Sequence, residues 1–465
     1  MPNQALPTTL NGLDTPISRR RLLRCALGLG GLAFASALAS QLNITPAEAA
    51  VDFTKATGFG TFVGGNAELM CGEIEGVTVV CGNVTERYGD STLAGRVLWG
   101  LDEGVTTKQT TLAIGGAYAH GTFRPTVGAS SRGWGNTGGN ARIGGTVCGS
   151  VSVAADGESA GPGDRGLFVS TEEEMHKRWP AMPVPNRTTC AVGPTIKTNL
   201  GKAAALQVTM FDGSTVDAQQ FWVSDVAPLI AYLRRLSATG TVAFSAEPAY
   251  TADPGSTDHQ SITRSGDTRV TCTGDGTSAL QIFDLNASDI ANKQICLAIN
   301  NVPHETGRGF YVIRMHGANP QVTYGYKSYL NGADYSGEMT PAYNNDTYRR
   351  FQDLCSRVLW LYDDNCGTMR VNRAHAMCNG YDVYVADDDC WASNASGEGG
   401  LSSANLMPGS HIVPASAHVR GSTNGRLWVR DNFQLLTWEH HAVTWLGLEY
   451  AQVNLKKKAK YNDWL

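Results

Sequence analysis

Short runs in which apolar and polar residues alternate, separated by Gly, Asn, Asp and Ser, fill most of the chain after its first 50 residues. Such runs are typical of β-strands, because successive side chains of a strand point to opposite faces of a sheet. Clear instances are GVTVVCG, RIGGTVCGSVSVAA, AALQVTMF, GFYVIRMHG, YDVYVA and GRLWVRD. The pattern therefore predicts a mainly β protein.

Two intervals along the chain bear on how these strands are arranged. The pair Gly65-Asn66 recurs 17 residues later as Gly82-Asn83, and Val413 precedes Val429 by 16 residues. One turn of a β-solenoid, whose short strands pair with those of the turns before and after, can have this length. An antiparallel β-sandwich also produces strands at short regular spacing. The intervals alone leave both folds open.

One segment, DAQQFWVSDVAPLIAYLRRLSATG, departs from the strand pattern. Its apolar residues recur at the spacing of one helix face, which predicts a helix near residues 217–237 that packs on the core. Asp217 can cap its start. Because Pro228 lies inside the pattern, either the helix begins nearby, with Ser224 or Asp225 as its cap and the proline in its first turn, or a longer helix is kinked there.

The N-terminus carries the most specific local signal. Arg19 and Arg20 precede the apolar, Gly/Ala-rich run CALGLGGLAFASALA, and small residues follow up to Ala49. This predicts a twin-arginine signal peptide over residues 1–49, cleaved near Ala49. A retained signal anchor is the alternative, which the short, Gly-broken run disfavours. No other stretch reaches about 18 apolar residues, so we expect no transmembrane span in the mature chain and a secreted, extracellular protein.

Export changes what the cysteines indicate. The chain has 11, and removal of Cys25 with the signal peptide leaves an even number, which in an exported protein usually means disulfides. Proximity suggests the pairs Cys71–Cys81 and Cys272–Cys296. A nested set is expected among the last four, Cys355, Cys366, Cys378 and Cys390. Bridges form outside the reducing cytoplasm, whereas twin-arginine export carries folded cargo, so the general secretory route stays open as well.

Composition narrows the function classes. Hydrophobic residues at 42% support a substantial core, and the formal net charge of −5 gives no reason to expect nucleic acid as a partner. The C-terminal residues 449–465 include LKKKAKYNDWL, a short basic tail. It can approach anionic wall polymer or lipid, but a solvated end is the favoured interpretation.

Three acidic clusters are the candidates for chemistry: Asp363 with Asp364, Asp387–Asp389, and Glu172–Glu174. Two carboxylates can act in glycoside hydrolysis if they lie at the required separation, which sequence does not give. The Asp387–Asp389 triplet offers oxygen ligands for Ca²⁺ but lacks the spacing and the Gly of an EF-hand loop, which favours a solvated turn. No HExxH motif or phosphate loop is present, and no G-x-S-x-G elbow sets up a nucleophile, so we expect no catalytic residue, metal ligand or cofactor.

Several motifs in a fixed order resemble the choice-of-anchor A family of exported bacterial proteins. They are GTFVGGNAEL, LRRLSATGTV, LQIFDLNASDIAN, GFYVIRMHG, SRVLWLYDD and LMPGSHIVPASAHVRGSTNGRLWVRDNF. The resemblance spans residues 55–445 and relates the chain to collagen-binding and ice-binding-like adhesive modules. Departures are LYD where the family has NFp, the cysteine content, Pro228 within the helix, and an insertion near residues 161–195.

The resemblance implies a parallel right-handed β-solenoid (β-helix) over residues 50–448 with one long helix packed alongside. It also implies an exported, non-catalytic, adhesin-like protein that binds an extracellular matrix protein or a glycan, with association to the cell wall left open. The alternatives are an antiparallel β-sandwich for the fold and a carbohydrate-active enzyme for the function. Ice binding would need regular Thr arrays, and TTKQTT is too local to supply one.

Overall fold

The fold is described from a computed structural model of the chain. The described residues all fall within one compact unit, Val51–Asn454; the other unit, Met1–Ala50 with Leu455–Leu465, lies outside them. The described residues are 59–69, 72–86, 97–101, 110–120, 126–127, 140–149, 168–169, 196–210, 213–252, 262–305, 308–336, 346–372, 376–378, 381–383, 406–419, 422–435, 439–441, 443 and 445–447.

Three large sheets, A, B and C, make up most of the fold. The strands of sheet A are β1 Phe59–Val63, β4 Val77–Val80, β7 Thr110–Ile114, β10 Asn140–Ile143, β13 Ile196–Lys197, β20 Leu280–Asn286, β22 Phe310–His316, β25 Val358–Tyr362, β30 Ser410–Val413 and β33 Leu427–Val429. Those of sheet B are β2 Ala67–Leu69, β5 Val84–Glu86, β8 Tyr118–His120, β11 Val147–Gly149, β16 Thr241–Ala246, β19 Thr268–Thr273, β21 Gln294–Asn300, β23 Gln321–Leu330, β24 Ala333–Asp334, β26 Thr368–Asn372, β31 Ser416–Val419 and β34 Phe433–Leu435. Those of sheet C are β3 Gly72–Glu75, β6 Val97–Leu101, β9 Thr126–Val127, β12 Phe168–Val169, β29 Leu406–Pro408, β32 Ser422–Asn424 and β35 Glu439–His441.

Three small antiparallel pairs and a few helices complete the described elements. The pairs are β14 Gln207–Thr209 with β15 Thr215–Asp217, β17 Tyr250–Ala252 with β18 Ile262–Arg264, and β27 Ala376–Cys378 with β28 Tyr381–Val383. The α-helices are α1 Lys202–Ala205, α2 Ala227–Arg235, α3 Ala287–Ile290 and α4 Asp346–Arg357. A 3₁₀ turn, Ala218–Gln220, and a π-helical segment, Trp222–Val226, precede α2.

Consecutive strands visit the three sheets in turn. β1, β2 and β3 lie in sheets A, B and C, and the next strands repeat this order up to β12. Neighbours in each large sheet are mostly parallel, β16 and β24 being the antiparallel exceptions among the described strands. The prediction of a mainly β fold is confirmed, and the antiparallel sandwich is wrong, because sequential strands of a sandwich would pair with each other within one sheet.

The chain begins in the middle of each sheet. In sheet A the order is β13-β10-β7-β4-β1-β33-β30-β25-β22-β20, so the first strand lies between the second and the last. Val63 pairs with both Val80 and Val429. Val413 also pairs with Val429, so the 16-residue interval is a true register. We call residues 59–75 the first coil and residues 427–441 the last coil; they are joined in all three sheets.

An asparagine ladder follows the turns between sheets A and B. The Asn432 side-chain oxygen accepts a hydrogen bond from the Asn66 backbone N–H (2.9 Å), and the Asn66 oxygen accepts one from Asn83 N–H (2.8 Å). The Asn83 oxygen accepts one from Ala117 N–H (2.9 Å). The ladder satisfies turn amides that have no strand partner. The Gly-Asn repeats are therefore turns of successive coils, and the ladder crosses the contact between the first and last coils.

We call residues 213–240 the crossing segment, because they lie in the connection between β13, at one end of sheet A, and β16, the last strand of sheet B. This segment contains the predicted helix in three pieces. Asp217 accepts a hydrogen bond from Gln219 N–H (3.1 Å), so it caps the start as predicted. The α-helix begins only at Ala227 with Pro228 in its first turn, and its N-cap is Val226, without a side-chain cap. Pro228 follows the π-helical segment almost directly, and the Ala227 N–H still donates to the Trp222 carbonyl oxygen. One long α-helix is not what the structure describes.

This segment covers the outer face of sheet A. The Phe221 ring lies edge-on to Phe59 and Phe62 at 4.9 Å and to Trp428 at 5.2 Å, so it contacts both the first and the last coil. Strands β1, β4, β7, β25, β30 and β33 are buried at every position. Burial on both faces explains why these strands read as continuous apolar runs rather than alternating ones.

The interior contains a buried imidazole. His411 is fully buried, its ring stacks between Trp360 (6.3 Å) and Tyr362 (6.1 Å), and its Nδ1 lies 3.2 Å from the Tyr362 hydroxyl. Its Nε2 has no hydrogen-bond partner among the described residues. Burial, with a smaller contribution from His440, lowers the pKa of His411 to about 3. The ring is therefore neutral at physiological pH.

The first prediction concerns the tight contact between the first and last coils. A Cβ on Gly64 would lie 2.1 Å from the Arg430 carbonyl oxygen. Because this oxygen belongs to the backbone, it can move away only at a large cost in free energy. We expect Gly64→Ala to lower the free energy of unfolding by at least about 2 kcal/mol in urea titrations. Thr85→Ala, at an exposed site of a neighbouring strand, should change it by no more than about 0.5 kcal/mol. Equal effects of the two substitutions would contradict this packing.

The second prediction concerns acid. Between the lowered pKa of His411, about 3, and the ordinary value of 6.5, the unfolded chain binds more protons than the folded one. Stability should therefore fall as pH drops through this window, with a slope of up to about 1.4 kcal/mol per pH unit from this group. His411→Gln should remove that slope in urea titrations at pH 4–7. Tyr362→Phe, which removes the partner hydroxyl without a titrating group, should shift stability equally at each pH; parallel curves for the wild type and His411→Gln would refute the assignment.

Candidate functional site

Many of the predicted site residues lie outside the described residues. These are Arg19, Arg20, Ala49, Cys71, Cys390, Glu172–Glu174 and Asp387–Asp389, together with most of the insertion near residues 161–195. The signal peptide and the solvated turn expected at Asp387–Asp389 therefore stay predictions, whereas Cys81 is a free thiol in this structure, so the Cys71–Cys81 bridge does not form in it.

Five of the described cysteines are buried thiols. Cys81, Cys272, Cys296, Cys355 and Cys366 are free and buried, and Cys378 belongs to β27. Arg269 is the register partner of Cys296, whereas Cys272 is opposite Ile299. The two sulfur-bearing residues are thus offset by three positions, about 10 Å along the strands, beyond the reach of a disulfide. The pairing predicted from proximity does not form in this structure, because proximity in sequence does not fix register.

The predicted carboxylates Asp363 and Asp364 are both engaged by neighbouring groups. Asp363 lies 3.1 Å from His316 Nδ1 and accepts a hydrogen bond from Gly317 N–H (2.9 Å). Asp364 pairs with Arg234. His316 also contacts Asp284 (2.8 Å). Asp364 therefore joins a strand end of sheet A to α2, and Asp363 joins the ends of the neighbouring strands β25 and β22.

Arg314 is the centre of this network. Its Nε and one Nη donate to both carboxylate oxygens of Asp284 (2.7 and 2.8 Å). The other Nη donates to the carbonyl oxygens of Leu233, Arg234 and Leu236, at 3.3, 3.2 and 2.7 Å. The guanidinium thus satisfies the free carbonyls at the C-terminus of α2 and places a positive charge at the negative end of its dipole. Burial opposes ionisation of Asp284, but the hydrogen bonds from Arg314 and His316 outweigh it and lower the pKa of Asp284.

Chemically, this network positions a helix. Every carboxylate in it has a cationic or backbone partner, so no free pair faces a substrate-sized space in the manner of a glycosidase. Across the described part of the chain, no three His, Cys, Asp or Glu side chains are grouped to hold a metal ion. The described segments also contain no helix of the length and apolarity needed to cross a membrane.

Sheet B presents the face that the crossing segment leaves uncovered. In β2 and β34 only the central residue is partly exposed, and in β31 exposed and buried positions alternate. This alternation is what one solvated and one buried sheet face produce. The outer face of these strands of sheet B is therefore partly exposed.

A straight row of polar side chains crosses this outer face. Register partners in adjacent strands place them side by side, about 4.8 Å apart, over six strands. We call this set the outer row; its members are Gln321, Arg370, His418, Gln434, Glu68 and Thr85. The inward neighbours, such as Val371, Val419 and Leu435, are buried in the core.

The outer row mixes donors, acceptors and both charges. Gln434 donates to Glu68 (3.2 Å) across the contact between the last and first coils. Burial and the nearby Arg370 lower the pKa of His418, and Glu68 opposes them. The imidazole is thus kept neutral at physiological pH, able both to donate and to accept. A flat row of amide, guanidinium, imidazole and carboxylate groups can hydrogen-bond a hydroxyl-rich or peptide surface.

Sequence reasoning missed the outer row. The polar member of each strand is visible as the middle of AEL, FQL and MRV. What sequence does not show is that these strands are neighbours, because β34 and β2 come from opposite ends of the chain.

Residues 52–364 match the model of a protein family described as an ice-binding-like adhesive domain. An ice-binding protein from an Antarctic Flavobacteriaceae bacterium has 10% identity and a TM-score of 0.22, with 88% of this chain and 86% of that chain covered. The competence-associated pilin ComZ from Thermus thermophilus has 9% identity and a TM-score of 0.23, with 83% and 70% covered. None of the curated proteins matches by sequence. The family match, which covers more than half of the chain, is the comparison that identifies it.

The third prediction separates the two arginines of the network. Lys at position 314 cannot reach both carboxylate oxygens and three carbonyls, and Arg314 is nearly buried. We expect Arg314→Lys to lower the free energy of unfolding by about 2–3 kcal/mol. Arg234→Lys, in a more exposed pair, should cost no more than about 1 kcal/mol. Urea titrations of both variants measure this, and a larger loss for Arg234→Lys would contradict the central place of Arg314.

Proposed function

Because the chain belongs to the family of ice-binding-like adhesive domains, we propose that it is an exported, non-catalytic, adhesin-like protein that binds an extracellular matrix protein or a glycan. The outer row of sheet B is its contact surface. The ligand would then bind to the outer face of sheet B rather than in a cleft.

We interpret the architecture as a parallel, right-handed β-solenoid of the choice-of-anchor A kind. The ordered visits of the chain to sheets A, B and C, and the parallel pairing of successive coils, support it. The crossing segment with α2 takes the place of the long helix that this family carries. A solenoid suits adhesion because its faces extend by repetition, which gives a wide flat contact rather than a pocket.

One observation carries the functional proposal: the uncovered outer row. Sheet A is covered by the crossing segment, whereas sheet B leaves six register-matched polar side chains at its outer surface. Their regular spacing suits a ligand that is itself extended and repetitive, such as a polysaccharide or an extended protein segment. The hydrogen-bonding groups and the mixture of charges favour a polar ligand over an apolar one.

The alternative, a carbohydrate-active enzyme, finds less support. Asp364 is paired with Arg234 of α2, and Asp363 is engaged with His316 and Gly317 at the end of β22. Recognition of a glycan without cleavage needs hydrogen-bonding groups, which the outer row has, and no paired acid and nucleophile.

Export and location follow as parts of the same proposal. Arg19 and Arg20 with the cleavage site near Ala49 support passage to the cell exterior, where an adhesive face meets its ligand. The mature protein is then secreted or held at the cell wall, and the basic C-terminal tail is one point of contact with anionic wall polymer.

The fourth prediction tests the outer row directly. The purified chain is applied to arrays of matrix proteins and glycans, and its best ligand is measured by surface plasmon resonance. The double substitution Arg370→Ala, Gln434→Ala removes the two groups that flank His418 in the row. We expect at least about a tenfold loss of affinity, about 1.4 kcal/mol, with unchanged thermal stability.

Lys202→Ala is the matched control for that experiment. Lys202 is an exposed cation in α1, away from the outer row. Its removal should leave the affinity unchanged. Absence of binding to every member of both arrays, or equal losses in the control and the double variant, would defeat the proposal.

A further inference from the structure

The outermost strand of sheet B, β16, has an open edge. It pairs with β19 on one side and is the last strand of the sheet among the described residues. Five of its six residues are exposed, Val242 being the exception. Phe244 is 40% exposed, one of the two exposed large hydrophobic side chains in the described part of the chain.

Three residues of β16 direct their backbone groups away from the sheet. Glu247 N–H donates to the Asp267 carbonyl oxygen (2.8 Å), which makes this facing pair a hydrogen-bonded one. In an antiparallel ladder bonded and non-bonded pairs alternate. The N–H and C=O groups of Val242, Phe244 and Ala246 therefore point to the open edge, ready for another strand.

The edge lacks the usual protection. Natural edge strands are protected from pairing with another chain by Lys, by Pro, by bulges or by very short length. The six residues of β16, TVAFSA, contain no charge and no proline, and all six keep an unbroken register with β19. The edge is thus suited to accept a strand.

We propose that the occupant is β16 of a second copy of this chain, paired antiparallel about a two-fold axis through Phe244. With this register Val242 faces Ala246 of the partner and Phe244 faces Phe244 of the partner. All three outward residues then exchange both hydrogen bonds, six in all. Moving the axis by one residue, to Ala243 or Ser245, leaves only four. The pairing brings no like charges of the strand together and covers the exposed Phe244 ring.

The pairing is isologous, so the contact closes on itself as a dimer rather than growing into a fibre. It joins the two copies of sheet B into one continuous sheet. The inference is independent of the proposed adhesive function, because it rests on the edge of sheet B and the function rests on its outer face.

A cysteine pair tests the register. In the proposed dimer the Cα atoms of residue 244 in the two copies are about 5.5 Å apart, within the range that a disulfide spans. Those of residue 246 are offset by four positions, about 13 Å. Under mild oxidation the full chain carrying Phe244→Cys should form a covalent dimer on non-reducing gels, and the matched variant Ala246→Cys should remain at the level of the wild type.

A proline substitution tests the association without cross-linking. Phe244→Pro removes an outward N–H and the ring but no bond to β19, so the monomer should keep its fold, as circular dichroism will show. Sedimentation velocity at tens of micromolar should give a dimer for the wild type and a monomer for this variant. Lys202→Ala, at an exposed site in α1 rather than on sheet B, serves as the control that stays dimeric.

Three results would overturn the proposal. They are a monomeric wild type with no cross-linking of Phe244→Cys, a dimer that persists in Phe244→Pro, and equal cross-linking at residues 244 and 246. A monomer whose amides at residues 242, 244 and 246 become protected from exchange by an added extended peptide would assign the edge to a foreign strand instead.

Discussion

The parallel pairing of the first coil with the last is the contact on which the other features depend. It joins β1 to β33, β2 to β34 and β3 to β35, and the Asn66 N–H to Asn432 hydrogen bond crosses it over 366 residues of chain. Closing so long a loop costs entropy, though the cost grows only slowly with length. The contact offsets this cost because it makes each sheet continuous and leaves no unpaired strand edge in the middle of the fold.

The crossing segment is needed because the chain starts in the middle of the sheets and must return from one end of them to the other. Two contacts fix it. Phe221 packs on both the first and the last coil, and Arg314 binds the carbonyls at the end of α2. Fixing the segment on sheet A buries that sheet on both faces and leaves sheet B with a solvated one. The position of the proposed binding face is thus a consequence of where the helix is held.

Local features of the fold could be predicted from sequence, and long-range ones could not. Strands, the Asp217 cap and the proline in the first turn of α2 depend on neighbours in the chain. The Gly-Asn interval was visible because the asparagine ladder needs one Asn per coil. The insertion of β1 between β4 and β33 left no periodic signal. Strand register decides whether Cys272 and Cys296 meet, so their pairing could not be predicted from proximity in sequence. Tertiary contact brings His316 to Asp363, so this partner could not be predicted either.

The binding face and the closure of the fold are coupled. The outer row takes Glu68 and Thr85 from the first part of the chain and Gln321, Arg370, His418 and Gln434 from the second. Opening the contact between the coils would separate Glu68 from Gln434 and divide the row. A ligand that spans both parts binds only the closed form, so it must stabilise that closure by mass action. Adhesion through this face would therefore strengthen the contact that creates it, which a pocket formed within one coil would not do.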